Sequence, residues 1–168
     1  MTPETFLSRI IDDGLDFLAS FGGPPVSEAA RRLLLCIAMQ ESGATLDARY
    51  QGSPSTAPGP ARGWWQFEQG GGVAGVLQHA SSKQLAALTC AHLEVVAAPA
   101  AVWRAIEGND LLSCAFARLL VWTDPHALPT TENSGWDCYM RLWRPGKPHR
   151  DAWTLNWPRA SSCVIESL

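Results

Sequence analysis

The sequence predicts one mainly α domain, and three observations predict it. Apolar residues recur at three- and four-residue spacing in several separate stretches, which is the helical period. The chain has 168 residues, 46% apolar and 17% charged, with mean hydropathy −0.04, enough for one sizeable core and far from the composition of a disordered chain. The longest clear apolar run, 33–39, falls well short of the roughly 20 residues that span a membrane.

The elements follow in order. Over residues 4–20, Phe6, Ile10, Leu15 and Leu18 share one helical face, and Gly22-Gly23-Pro24-Pro25 stops the pattern, giving an N-terminal helical segment within 1–25. Ser27 is placed to cap a second helix through Leu33, Leu34, Ile37 and Ala38 to about Ser42, with Gly43 as its left-handed terminator. From Ala44 to Gly63 the chain turns to Gly, Pro, Ser and Thr, a long loop with room for a short hairpin. After Trp64-Trp65-Gln66-Phe67-Glu68 and Gly70-Gly71-Gly72, helices are expected at 73–77, 83–97, 100–106 and 111–122, the last capped by Asn109 or Asp110 and halted at Asp124-Pro125. A final helix is expected over 136–143 from Ser134, and residues 144–168, rich in Trp, Pro and basic side chains, read as an irregular C-terminal strap. No repeat or linker divides the chain, so residues 1–168 form a single domain.

Charge and cysteine content exclude several classes. Thirteen Lys and Arg against 16 Asp and Glu give a net charge of −3, which does not support nucleic acid or anionic membrane as a partner. Five cysteines, at 36, 90, 114, 138 and 163, form no CxxC pair, and Cys36 and Cys114 sit in apolar helical patterns, where a thiol acts as a small hydrophobe. Free buried thiols are the expectation. The start Met-Thr-Pro-Glu lacks the basic region of a signal peptide, so synthesis in the cytoplasm is expected. Four scattered histidines offer no metal-ligand spacing, and neither a Gly-x-Ser-x-Gly elbow nor a phosphate-binding loop is present. No metal and no cofactor is expected.

Glu41 is the most informative residue. Ala38, Ile37 and Leu34 precede it by three, four and seven positions, so it shares the apolar face of its helix. It also lies in the last turn, where the helix dipole disfavours an anion. Desolvation and dipole both raise a carboxyl pKa, and a carboxyl protonated near neutrality is what a general acid needs. The plain alternative is an exposed Glu at a frayed helix end. Downstream, Arg62-Gly63-Trp64-Trp65-Gln66-Phe67-Glu68 supplies stacking rings, an amide and a second carboxyl, the chemistry of a sugar-binding groove. The alternative for Trp64 and Trp65 is core filling, and in an alternating run one of them points inward.

Gln40-Glu41-Ser42-Gly43, followed about twenty residues later by Gly63-Trp64-Trp65-Gln66-Phe67, resembles the Glu-Ser … Gly-Leu-Met-Gln signature of lytic transglycosylases and goose-type lysozymes. The string from Gly59 to Glu68 with Gly71-Gly72-Val73, and the later Tyr139-Met140-Arg141-Leu142-Trp143-Arg144-Pro145-Gly146-Lys147-Pro148-His149, resemble lysozyme-like proteins of tailed bacteriophages. The similarity spans roughly residues 30–155. It implies a lysozyme-like fold with the long loop or a small β-hairpin beside an active-site cleft. It implies a peptidoglycan-degrading glycosidase, a lysozyme or lytic transglycosylase that cleaves the MurNAc-GlcNAc β-1,4 bond. Such an enzyme would act in the periplasm or cell wall on glycan strands, carried in the virion or released at lysis, with virion proteins as further partners. The resemblance implies the general acid role for Glu41 and a groove-lining role for Ser42 and Gln66, to which the aromatic segment adds Trp64, Trp65 and Phe67 as candidate substrate contacts. One departure stands out: at the position of an Ala-Tyr-Asn motif on a later helix, this chain has Ala115-Phe116-Ala117-Arg118. The alternative from a different class is a non-enzymatic virion component or wall-binding protein that keeps the fold.

Glycoside cleavage ordinarily uses two carboxyl groups. Glu68, in the aromatic segment, is preferred to Asp47 as the second. In the transglycosylase route Glu41 alone acts as acid and then base, with the substrate's own 6-hydroxyl as nucleophile. Two further groups remain. Arg118, alone among apolar residues of 111–122, is expected to pair with a buried carboxylate. Arg141, Arg144, Lys147 and Arg150, interleaved with Trp143, Trp153 and Trp157, read as a strap whose rings pack and whose charges are solvated.

Overall fold

The N-terminal amphipathic stretch folds as one unbroken helical rod made of α1 (Pro3–Phe6), a π-helical segment (Leu7–Asp12) and α2 (Asp13–Ala19). The structure is a computed structural model that describes residues 1–46 and 59–167. Thr2 caps the rod by accepting from the Thr5 N–H, and Pro3 occupies the first helical position, where a missing N–H costs nothing. Phe6, Ile10, Leu15 and Leu18 are fully or almost fully buried, as their spacing predicts.

The second predicted helix is α3 (Glu28–Ser42), with the Ser27 hydroxyl accepting from the Ala30 N–H and Gly43 ending it at φ +80°. Every residue from Leu33 to Met39 is buried. A helix covered on all sides is the core of the molecule, and α3 carries Glu41 out of that core at its last turn. A bidentate pair from Arg31 to Asp12, at 2.7 and 2.8 Å, ties α3 to the N-terminal rod.

The hairpin is short: β1 (Ala61–Arg62) pairs antiparallel with β2 (Phe67–Glu68), Ala61 opposite Glu68 and Arg62 opposite Phe67. Gly63 opens its turn at φ +73°, a conformation that side chains resist. A Cβ there would lie 2.5 Å from Ile106 Cγ2 and 2.9 Å from the Ser113 hydroxyl. The turn is therefore seated directly on the helices that follow. These are α4 (Ala74–Gln78), entered through a glycine-rich π-helical turn (Gln69–Val73), then α5 (Lys83–His92), α6 (Pro99–Ile106), α7 (Asp110–Trp122) and α8 (Glu132–Leu142). Asn109 caps α7 by accepting from Leu112 N–H, and Thr131 with Ser134 forms a capping box on α8.

Three expectations are corrected. Residues 144–168 are not an irregular strap: Arg150–Glu166 is α9, packed closely along α3. Its buried stripe, Trp153, Trp157, Ala160 and Val164, has helical spacing, and Pro158 inside it is what disguised the pattern. An interior proline costs about 3 kcal/mol. Burying Trp153, Trp157 and Val164 at roughly 1.5–3 kcal/mol each outweighs it. The helix expected over 83–97 stops at His92, where the chain leaves the helical conformation and Glu94 adopts φ +55°. Arg118 is buried but meets no carboxylate among the described residues; its guanidinium lies 5.5 Å over the Trp122 ring, and burial lowers it to about 10. All five cysteines are buried and free. Among the described residues no helix is long and apolar enough to cross a membrane.

Candidate active site

Glu41 is half-buried at the end of α3, and its surroundings come from both halves of the chain. The Tyr139 hydroxyl, on α8, donates to Glu41 Oε1 at 2.6 Å. Burial raises the Glu41 carboxyl from 4.5 to about 7, and the Tyr139 hydrogen bond opposes that rise. Tyr139 itself is pushed upward by burial and by its carboxyl neighbour, so it stays a donor at neutral pH. The phenol ring is held by stacking on Trp153, with centroids 5.2 Å apart, and on Trp143 at 6.4 Å, and Trp153 stacks in turn on Trp157. Gly135 makes this approach of α8 to α9 possible, because a Cβ there would meet the Trp157 ring.

A cleft of about 1400 Å³ runs past this pair. Glu41, Ser42 and Gly43 supply one part of its lining, Gln66, Phe67, Glu68 and the glycine turn a second, and Tyr139 with residues 141–147 a third. That size exceeds a typical small-ligand pocket and suits a polymer laid across it. Beyond Glu68 and Gly70 a shallower dent of about 360 Å³ continues, walled by Arg62 and Trp103. There the guanidinium lies 4.4 Å over the indole, whose N–H donates to the Pro60 carbonyl.

The residues singled out from sequence divide into two groups. Glu41, Ser42, Gln66, Phe67 and Glu68 come together on the cleft. Ser42 does so as a buried hydroxyl donating to the Trp64 carbonyl at 2.6 Å, which fixes the hairpin turn against α3. Gln66 holds φ +50°, unusual for a residue with a side chain, and its amide donates to the Gly63 carbonyl at 2.9 Å. Glu68 is exposed at the rim. Trp64 and Trp65 do not line the cleft, which corrects their assignment as groove residues. Trp65 is wholly buried, its indole N–H donating to the Leu34 carbonyl of α3 at 2.9 Å, and Trp64 donates to Asp110. Both pack on Phe6, with ring centroids 5.7 and 5.3 Å away. An indole N–H is costly to bury without an acceptor, and each found one inside. Asp47 lies outside the described residues.

Sequence reasoning missed Tyr139 as a site residue. The signal available was its place in the string from Tyr139 to His149, but nothing in spacing ties position 139 to position 41. His79, one of the four scattered histidines, also borders the cleft. No group of three or more His, Cys, Asp or Glu side chains stands together as a metal site among the described residues.

No protein-family model matches the chain, and comparison with curated proteins and with solved structures likewise gives no match.

Proposed function

We propose that the protein is a glycosidase of lysozyme-like fold that cleaves the glycan strands of peptidoglycan, with Glu41 as its general acid. The observation that carries this reading is the state of the Glu41 carboxyl. It is raised to about 7, hydrogen-bonded by Tyr139, and set in the lining of a long open cleft. A group with pKa near the working pH is both protonated often enough and acidic enough to transfer its proton. The resemblance of Gln40-Glu41-Ser42-Gly43 and the Gly63–Phe67 segment to lytic transglycosylases and goose-type lysozymes supplies the substrate class.

In this mechanism Glu41 donates its proton to the glycosidic oxygen as the bond to the sugar breaks. Only one carboxyl oxygen is engaged by Tyr139, which leaves the other to carry the proton that is transferred. The phenol then stabilises the carboxylate that proton transfer leaves behind, in a site where burial would otherwise penalise it. Glu68, on the same cleft, serves as the second carboxyl that orients water or faces the developing positive charge. In the transglycosylase variant Glu41 takes the proton back from the substrate's own 6-hydroxyl, and Glu68 is dispensable. A phage source, with the protein made in the bacterial cytoplasm and acting at the wall, belongs to the same proposal.

Loss of turbidity of permeabilised Gram-negative cells, compared between wild type and Glu41→Gln, tests the assignment. Clearing by wild type alone supports it. Equal clearing by both proteins rejects Glu41 as the acid, and clearing by neither rejects the glycosidase reading and favours a non-enzymatic wall-binding or virion protein. Mass spectrometry of released muropeptides separates ordinary reducing ends from 1,6-anhydro ends.

A further inference from the structure

One side of the cleft is formed by the connection between α8 and α9. The connection is pinned at both ends. At its start the Trp143 indole N–H donates to the Trp65 carbonyl at 2.9 Å. At its finish the His149 carbonyl accepts from the Gln40 amide at 3.0 Å, and Gln40 is itself held by Asn156 at 3.1 Å. Between these anchors lie Pro145 and Pro148, which restrict the backbone, and Arg144 is held at φ +49°. A side-chain-bearing residue in that conformation is strained and persists where the surrounding structure imposes it.

This rigid strap presents two cations to the cleft, Arg144 and Lys147, both exposed and both lining it. Neither pairs with a carboxylate among the described residues. Arg141, beside them, is already committed to Asp124 at 2.7 Å. Nor do these cations tune the acid: what acts on the Glu41 carboxyl is its burial and the Tyr139 bond. Arg144 Nε donates to the Arg141 carbonyl at 3.2 Å, and its guanidinium with the Lys147 ammonium puts positive charge along a polymer-sized cleft, in a chain of net charge −3.

We propose that the Arg144–Lys147 strap binds the carboxylates of the acidic peptides borne on alternate sugars of the glycan strand, so that the protein prefers peptide-substituted strands to bare ones. The inference rests on the glycosidase reading for its substrate class. Arg144 offers a planar fork suited to a carboxylate and Lys147 a point charge. Exposed charge pairs of this kind contribute modestly and weaken as salt screens them.

The test uses the full-length protein with two substrates, peptidoglycan strands with intact peptides and the same strands stripped of peptides by an amidase. In wild type the ratio of kcat/KM for the two substrates favours the peptide-bearing strands, and 0.5 M NaCl reduces the preference. In the Arg144→Gln/Lys147→Gln double variant that ratio falls about five- to tenfold. An unchanged ratio overturns the proposal, as does an equal loss on both substrates. Co-sedimentation of Glu41→Gln protein with each substrate, with and without the two strap substitutions, gives a readout independent of turnover. If wild type cleaves neither substrate, the glycosidase reading fails, and sedimentation decides the strap alone. Peptide-dependent retention that the double substitution abolishes upholds it, and retention that ignores either the peptides or the substitutions overturns it.

Discussion

Tyr139 and Glu41 stand 98 positions apart in the chain, and the phenol of one donates to the carboxyl of the other at 2.6 Å. The two influences on this carboxyl oppose each other, burial raising its pKa and the phenol lowering it, with burial the larger.

As the proposed general acid, Glu41 works in its protonated form, so kcat/KM is expected to fall as pH rises through about 7. Tyr139→Phe removes the group that favours the ionised form, so the descending limb moves to higher pH, by about one unit. A pH–rate profile of the two proteins checks this. A limb that stays in place, or moves to lower pH, contradicts the pairing.

Stability should depend on pH through the same residue. The folded protein holds the Glu41 proton more tightly than the unfolded chain, from 4.5 up to about 7. Its stabilising effect is complete below about pH 4.5 and is lost as pH rises through 7. The shift is equivalent to roughly 3 kcal/mol, an upper figure since the site opens on a cleft. Glu41→Gln carries no such charge. It is expected to be more stable than wild type by roughly 2–3 kcal/mol at pH 9 and equal to it near pH 4, as read by urea denaturation.

Trp65 and Glu68 should separate structure from chemistry. Trp65→Ala opens a cavity in the core and strands the Leu34 carbonyl partner, at a cost of about 3–5 kcal/mol, and any loss of activity tracks unfolding. Glu68 is exposed, so Glu68→Gln leaves stability within about 0.5 kcal/mol. As second carboxyl its loss lowers kcat by about 100-fold or more. Undiminished kcat in a folded Glu68→Gln protein supports the route in which Glu41 works alone.

Gly63→Ala is expected to destabilise by about 2 kcal/mol or more, because φ +73° is unfavourable for alanine and its methyl would press on Ile106 and Ser113. The cleft residues Gln66 and Phe67 follow that turn, so the variant's KM should rise even where it remains folded. Thermal melts and substrate titration read the two effects separately.

How much of this was legible in the sequence depends on whether the information was local. Ser27 and Gly43 declared the ends of their helix by residue type, Asn109 was one of two neighbouring cap candidates, and the distance of Glu41 from Leu34, Ile37 and Ala38 pointed to the apolar face without deciding its burial. The helix α9 was hidden because Pro158 breaks a propensity argument that tertiary packing overrides; its stripe of Trp153, Trp157, Ala160 and Val164 was readable by spacing alone. Trp64 and Trp65 look alike in sequence, as two rings beside a glycine turn, and only the acceptors offered by Leu34 and Asp110 show that both belong inside. Tyr139 could not be placed at all, since a contact across 98 positions is a property of the packing of α3, α8 and α9.

The split origin of the Glu41–Tyr139 pair bears on biosynthesis. During translation the acid emerges long before its phenol, and the phenol before Trp153 and Trp157, the rings on which it rests. A ribosome-bound or prematurely terminated chain thus carries a carboxyl with no donor beside it until α8 is made, and the rings that hold the donor arrive only with the final helix.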